Sequence, residues 1–373
     1  MPTQRALSAT LSPALLLALA LPLPALVGCG SCEDDGSTES AEGTAEPAEP
    51  AEPALEPLLA LPESVEFDEA KMVLGRALYF DTRLSGDNTI SCATCHELGH
   101  GGAEPRAVST GIGGAQGPIN SPTVLNARYN LAQFWDGRAV DLQAQASGPV
   151  ANPGEMGSTW EQVLEELKAV PGYAEQFGAL YDDGITEANV TDAIAEYEGT
   201  LITPSPFDAY LRGDESAISE TQRRGHETFK EVGCTACHTG INIGGSMYQK
   251  MGLVRDWFGS LDREITEADA GRFNHTGEES DRHFFKVPTL RNVANSAPYF
   301  HDGSEEDLAG AVRTMGTYQL GVELSDAQVG DIVAFLESLT GELPAHAALP
   351  EGGIPEGPEG EAAEGAEAAA TAE

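Results

Sequence analysis

What this 373-residue sequence has least of is positive charge: 20 Lys and Arg stand against 60 Asp and Glu, for a formal net charge of −40. Nucleic acid is thereby excluded as a partner, because a phosphate backbone is held by clustered cations. Also missing is an apolar run fit to cross a bilayer. The longest apolar stretch, "LSPALLLALALPLPALVGC" at residues 11–29, is broken by proline and follows a lone Arg5, as in an export signal. Cysteine is sparse as well. Of the six present, four fall into two C-x-x-C-H units, so a structural disulfide within the fold would have to break one of them.

The apolar run closes on Leu26-Val27-Gly28-Cys29, which resembles a bacterial lipobox: small residues admit the signal peptidase and Cys29 takes the lipid. Residues 1–28 then form a signal peptide. Residues 29–57, with "EPAEPAEPALEP", form an acidic tether stiffened by proline and self-repelling through glutamate. Cys32 within it is incidental. Residues 344–373 carry acid and no Lys or Arg, the composition of a disordered, soluble tail. The expected location is the periplasmic side of a bacterial membrane. Gly30 and Ser31 stand where enterobacteria carry an inner-membrane retention aspartate, which favours the outer membrane. Acidic surfaces steer basic ones at long range, so a cationic protein partner fits.

Between the two acidic ends the periodic segments are helical, and the expected class is mainly α. "DEAKMVLGRALYF" puts Ala70, Val73, Leu74, Ala77 and Leu78 on one face. "STWEQVLEELKAV" opens with a capping box from Ser158 to Glu161, "SETQRRGHETFKEV" with one from Ser219 to Gln222, and "SDAQVGDIVAFLESL" with one from Ser325 to Gln328. The last buries Val329, Ile332, Val333, Leu336 and Leu339. Long Gly- and Pro-rich loops are expected at 99–122, 145–158 and 239–260. Helices separated by so much loop need another source of core, and a haem, as a large apolar disc, supplies it.

That cofactor is read from "SCATCH", Ser91 to His96, and "CTACH", Cys234 to His238. Four cysteine sulfurs could hold one tetrahedral zinc. A histidine directly after each second cysteine argues instead for haem c, with thioethers from Cys92 and Cys95, or Cys234 and Cys237. His96 and His238 then turn beneath the irons as proximal ligands. No βαβ pattern surrounds either pair, which removes a thioredoxin-like reading. The expected organisation is two haem c domains, at 58–205 and 206–343. Met315 in "VRTMGTYQLG", a Gly-flanked loop before the last helix, is the expected sixth ligand of the second iron, with Tyr318 as its substitute. Thioether ligation favours ferrous iron and raises the potential. For the first iron, Met156 is the nearest methionine.

At these residues the chain resembles the bacterial dihaem cytochrome c peroxidases over about residues 74–339. "LGRALYFDTRLS", "SPTVLNARYNLAQFWDGRA", "GPVANPGEMGST", "VGCTACHTGINIGGSMYQKMGL", "FKVPTLRNV" and "APYFHDGS" follow the family in order and spacing. The resemblance implies two cytochrome-c-like domains with calcium between them. It implies reduction of hydrogen peroxide to water, with a small cytochrome c or cupredoxin as electron donor; the oligomeric state is left open, a homodimer among the options. It also implies a peroxidatic first haem and an electron-entry second haem. Trp135 resembles the family's bridge between haems, Glu155 its catalytic carboxylate and Gln145 the amide that orients peroxide. Asn120, Ser296 and the carbonyl of Pro298 resemble its calcium ligands, with Ser296 in place of a threonine.

One position departs from the family. Many members carry a distal histidine within a "G-V-H-G" pattern, and here Gly111-Ile112-Gly113-Gly114 puts glycine at that place. His100 and Met156 are the substitutes in reach. His283 is unassigned, and His301 has two readings, a haem propionate contact and an ordinary polar contact. Two other functions compete with the peroxidase. A related dihaem enzyme that oxidises a protein or organic substrate, as in the methylamine dehydrogenase maturation branch, uses a tyrosine as sixth ligand. A non-enzymatic electron carrier would have no use for Glu155 and Gln145.

Overall fold

Two helix pairs, each crossed at a glycine, frame the protein. In the computed structural model, which describes residues 56–357, the Glu69–Phe80 helix packs across Glu187–Gly199, and Glu220–Glu231 across Asp326–Glu337. A Cβ on Gly75 would lie 1.8 Å from the Ala193 carbonyl oxygen, and one on Gly225 would lie 1.8 Å from that of Asp331. Only a residue without a side chain lets the backbones approach so closely. Around each crossing sits an apolar cluster, one containing Leu74, Leu78 and Val163, the other Phe207, Ile332 and Phe335. Strand is confined, among the described residues, to the antiparallel pair Tyr248–Lys250 and Phe284–Lys286 and a few isolated bridges. The mainly α class stands.

The capping boxes at Ser219 and Ser325 form as the sequence suggests. At Trp160–Lys168 the cap is Thr159 rather than Ser158, because the Ser158 amide donates to the Val150 carbonyl at 2.9 Å and closes the preceding turn. On the first helix Val73 is 40% exposed and Ala70 is exposed too. Leu74, Ala77 and Leu78 are buried as expected, and the inner face also carries Met72, Gly75 and Tyr79, turned toward the crossing at Gly75. In the last helix Phe335 is buried while Val333 is only partly so. The expected loop 145–158 is half helix: Leu142–Ala151, capped by Asp141, runs through Pro149 and packs on Glu187–Gly199.

The two ends of the described chain cross over. Leu58 belongs to the second core, and the Leu59 amide donates to the Gly240 carbonyl at 3.2 Å. Residues 344–357, expected in the tail, lie along the first half. Tyr197 donates to the Ala347 carbonyl at 2.6 Å, Arg76 to that of His346 at 2.9 Å and Arg83 to that of Pro355 at 2.9 Å. The signal peptide, Cys29, Cys32, nearly all of the tether and the tail beyond residue 357 lie outside the described residues.

A buried ion pair fastens the early segment. Arg291 donates to Asp208 at 2.9 Å with both side chains at 0% exposure. Arg291 also donates to the Leu59 carbonyl at 3.0 Å, and Asp208 accepts the Leu61 amide at 2.7 Å. Breaking such a pair leaves an uncompensated buried charge. Asp208→Ala is therefore expected to cost ~3–5 kcal/mol, read from urea unfolding of the haem-loaded protein. A loss below about 1 kcal/mol would mean that water reaches the guanidinium.

Candidate functional site

Each C-x-x-C-H unit opens onto its own cavity. The first unit is a helical turn, Cys92–Cys95, with a Ser91/Thr94 capping box that sets its entry. Its carbonyl end is held by Tyr79, whose hydroxyl donates to the His96 carbonyl at 2.6 Å. Cys92, Cys95 and His96 face a cavity of about 130 Å³. The second unit, a 3-10 turn at Cys234–Ala236, follows directly on the Glu220–Glu231 helix. With His238 it faces a cavity of about 230 Å³.

The donor sets fit haem c. None of the four cysteines of the two units is tied up in a disulfide. Burial pushes the Cys95 and Cys234 thiols up to about 12 and raises Cys92 as well, a measure of how deeply these sulfurs are set in the cavity walls. Burial also lowers both imidazoles, His96 and His238, to about 4. A neutral ring keeps a lone pair for a metal. The His238 Nδ1 faces the Ile243 carbonyl at 3.4 Å, which leaves its Nε2 for the cavity, the usual division of labour in a ligating histidine. His96 Nδ1 is buried without a hydrogen bond.

Met315 lines the second cavity. It stands not in a loop but at the start of a π-helical turn, Met315–Leu320, that continues the Leu308–Thr314 helix. Such turns recur at functional sites. Tyr318, inside that turn, is absent from that lining; its carbonyl takes the amides of Val254 and Arg255, each at 3.1 Å.

Glu155, Gln145 and Met156 all line the first cavity. Burial raises the Glu155 carboxyl above its ordinary value, opposed first by Arg138 and then by the Asn152 amide, which donates to its Oε1 at 2.7 Å. Arg138 is itself held over the Phe134 ring at 3.4 Å and paired with Asp136 at 3.1 Å. Trp135 lines both cavities. Its indole N–H donates to the Asn120 carbonyl at 2.9 Å, and its own carbonyl accepts the Lys286 amide at 2.8 Å.

Asn120, Ser296 and Pro298 all line the second cavity, and Asn120 lines the first as well. The Asn120 amide nitrogen donates to the Arg106 carbonyl at 3.0 Å, which turns its Oδ1 free as a neutral oxygen of the kind calcium takes. His100 does not approach the first cavity; its Nε2 hydrogen bonds the Ala297 carbonyl at 2.9 Å. His283 stacks on Phe258 with centroids 4.0 Å apart. His301 reaches the second cavity, but its Nε2 bonds Asp269 at 2.8 Å. Asp269, His301 and Asp302 gather ligand atoms as a metal site would. The Arg263 guanidinium takes the cation's place there, donating to Asp269 and Asp302 at 2.7 Å each.

On the cavity walls, two buried ionisable groups escaped the sequence reading. Glu198, 3% exposed, lines the first cavity and is raised to about 8 by burial. Lys286, 5% exposed, lines the second. Glu198 sits on a helix like any other glutamate, so nothing in its neighbours announced burial. Lys286 stands in the quoted "FKVPTLRNV", where apolar neighbours on both sides were the available signal.

Residues 69–216 match the family model for di-haem cytochrome c peroxidase, and residues 222–340 match the model for cytochrome c. The chain is 52% identical over 289 residues to Cytochrome c peroxidase Ccp of Escherichia coli, covering 77% of this chain and 61% of that protein. It therefore spans somewhat under two thirds of that relative's length. It is 47% identical over 293 residues to Cytochrome c551 peroxidase of Nitrosomonas europaea, covering 78% of this chain and 85% of that protein. Among solved structures, a MauG-like protein associated with microbial copper homeostasis superposes with a TM-score of 0.67 at 26% identity, covering 79% of this chain and 96% of the other.

Proposed function

The chain belongs to the di-haem cytochrome c peroxidase family, and from that membership we propose that it reduces hydrogen peroxide to two waters with two electrons from a small redox protein and two protons. The observation that carries the proposal is an asymmetry. Glu155 and Gln145 line only the first cavity, Met315 only the second, and Trp135 lines both. Acid–base groups on one side and an electron-storing ligand on the other is the arrangement a peroxidase needs. A plain electron carrier needs only the second half.

Bound haem c supplies redox-active iron on which the peroxide bond is broken and through which single electrons pass. The protein does the rest. Glu155, as carboxylate, takes the proton from one peroxide oxygen and returns it to the departing one; its raised pKa makes it a stronger base for the first transfer than an ordinary carboxylate. The Gln145 amide orients the peroxide. Trp135, fixed through its N–H and its carbonyl, carries electrons between the cavities. Met315 would hold the iron of a haem in the second cavity through its sulfur, and a thioether there would keep that iron readily reducible. Asn120, Ser296 and the Pro298 carbonyl bind calcium against the same wall as Trp135, with waters completing the shell.

The donor is a cationic small cytochrome c or cupredoxin, attracted by the acidic chain. The site of action is periplasmic, with Cys29 carrying the lipid and the acidic tether giving reach. The protein-oxidising alternative has less support, since Met315 rather than Tyr318 lines the second cavity. Stopped-flow mixing of half-reduced protein with peroxide tests the proposal. Oxidation of the second haem within the turnover time is expected, and none would overturn it.

The assignment of Met315 has its own check. Met315→His is expected to lower the midpoint of the second haem, because imidazole favours ferrous iron less than thioether does. A redox titration with both midpoints unchanged would make the methionine a packing residue.

A further inference from the structure

Lys286 closes the Phe284–Lys286 strand and is fixed from two sides. Its amide donates to the Trp135 carbonyl at 2.8 Å, and it pairs across the strands with Tyr248. Its side chain is 5% exposed and lines the second cavity. Burial alone accounts for the fall of its ammonium to about 8; among the described residues no carboxylate pairs with it.

Keeping an ammonium in such a place is costly without an anion beside it. The wall of this cavity carries no Asp or Glu, unlike that of the first cavity, where Glu155 and Glu198 stand with Arg138. His301 is not a competing cation, since burial lowers its pKa and Asp269 takes its Nε2. The missing negative charge must therefore arrive with whatever fills the cavity. The cavity of Cys234, Cys237 and His238 takes a haem, and the anions of a haem are its two propionates.

We propose that the Lys286 ammonium is the counter-cation of a propionate of the second haem, and that it thereby helps to hold that haem in its easily reduced state. The inference rests on the haem reading of this cavity. A paired propionate no longer stabilises the extra positive charge of ferric iron, so ferrous iron gains. Because the Lys286 amide is tied to Trp135, the same contact fixes the haem edge relative to the indole that lines both cavities.

The test is a potentiometric titration of the haem-loaded protein, followed in the visible spectrum, for wild type, Lys286→Met and Lys286→Arg. Methionine matches the length of the stem without its charge. At a fixed potential the ferrous-to-ferric ratio of the second haem is expected to fall about tenfold in Lys286→Met, or ~59 mV for a one-electron couple. The first haem should be unmoved, and Lys286→Arg should recover most of the shift. Should Lys286→Met fold poorly, Lys286→Gln is read in the same way. Unchanged midpoints with both haems attached would overturn the pairing and leave the haem reading intact. Absence of a second covalent haem in the wild type would overturn the haem reading itself.

Discussion

In Glu155→Gln, peroxide turnover is expected to fall by ~10²–10⁴-fold, the usual worth of a positioned general acid–base group, while both haem spectra stay as in the wild type. Glutamine keeps the shape of the side chain and can still meet the Asn152 amide, which now donates to Glu155 Oε1. What it lacks is the ability to accept and return a proton. The loss should therefore appear in kcat and kcat/KM together. The pH profile adds a second reading. Burial holds the Glu155 carboxyl above its ordinary value against the opposing Arg138 and Asn152. The carboxylate is the working base, so wild-type turnover should decline as pH falls through that raised pKa and recover above it. Glu155→Gln should lack this limb. Turnover within about twofold of wild type would remove Glu155 from the mechanism, being far below the loss a shuttle implies.

The chemistry of this chain is written locally and its architecture is not. C-x-x-C-H places sulfur and imidazole within one turn, so both haem sites are legible at Cys92–His96 and Cys234–His238 without knowledge of the fold. The capping boxes at Ser219 and Ser325 are equally local, a side chain and an amide three residues apart. The helix carrying Gln145 failed the same reading because Gly148 and Pro149 are poor helix residues. Packing of that segment on Glu187–Gly199 overrides its propensity. The crossings at Gly75 and Gly225 depend on backbones far apart in sequence, Ala193 and Asp331. The interchange of chain ends depends on contacts such as Arg291 with Leu59 and Tyr197 with Ala347. No window along the sequence contains either pair. His301 tells the same story: its polar partner, Asp269, lies 32 positions away. The family resemblance singled out Trp135, Glu155 and Asn120, all of which line the cavities, because it carries three-dimensional information that periodicity and propensity lack.

Cyanide is expected to bind the fully oxidised protein promptly, without prior reduction, and electron paramagnetic resonance of that state is expected to show a high-spin first haem. The reason lies at Gly113. Residues 109–117 form a tight hairpin, with the Gly117 amide donating to the Ser109 carbonyl at 2.7 Å and Gly111 to Ala115 at 2.7 Å. The hairpin is clasped to the Glu155 turn: the Ile112 amide donates to the Glu155 carbonyl at 2.7 Å, and a Cβ on Gly111 would lie 2.1 Å from the Gly154 oxygen. At its tip Gly113 has φ +63 with nothing within 4 Å of where a side chain would start. A distal histidine at this place would couple the two haems by moving between two arrangements. Glycine has no donor atom, so that gate cannot close. Of the two substitutes, His100 is tied to the Ala297 carbonyl, which leaves the buried Met156 on the cavity wall. Met156→Leu keeps the volume and removes the sulfur, and it should leave both cyanide binding and the spectrum unchanged. Two low-spin signals in the oxidised wild type, with cyanide binding only after one-electron reduction, would overturn the open site. If Met156→Leu then restored the high-spin signal, the methionine would be the gate.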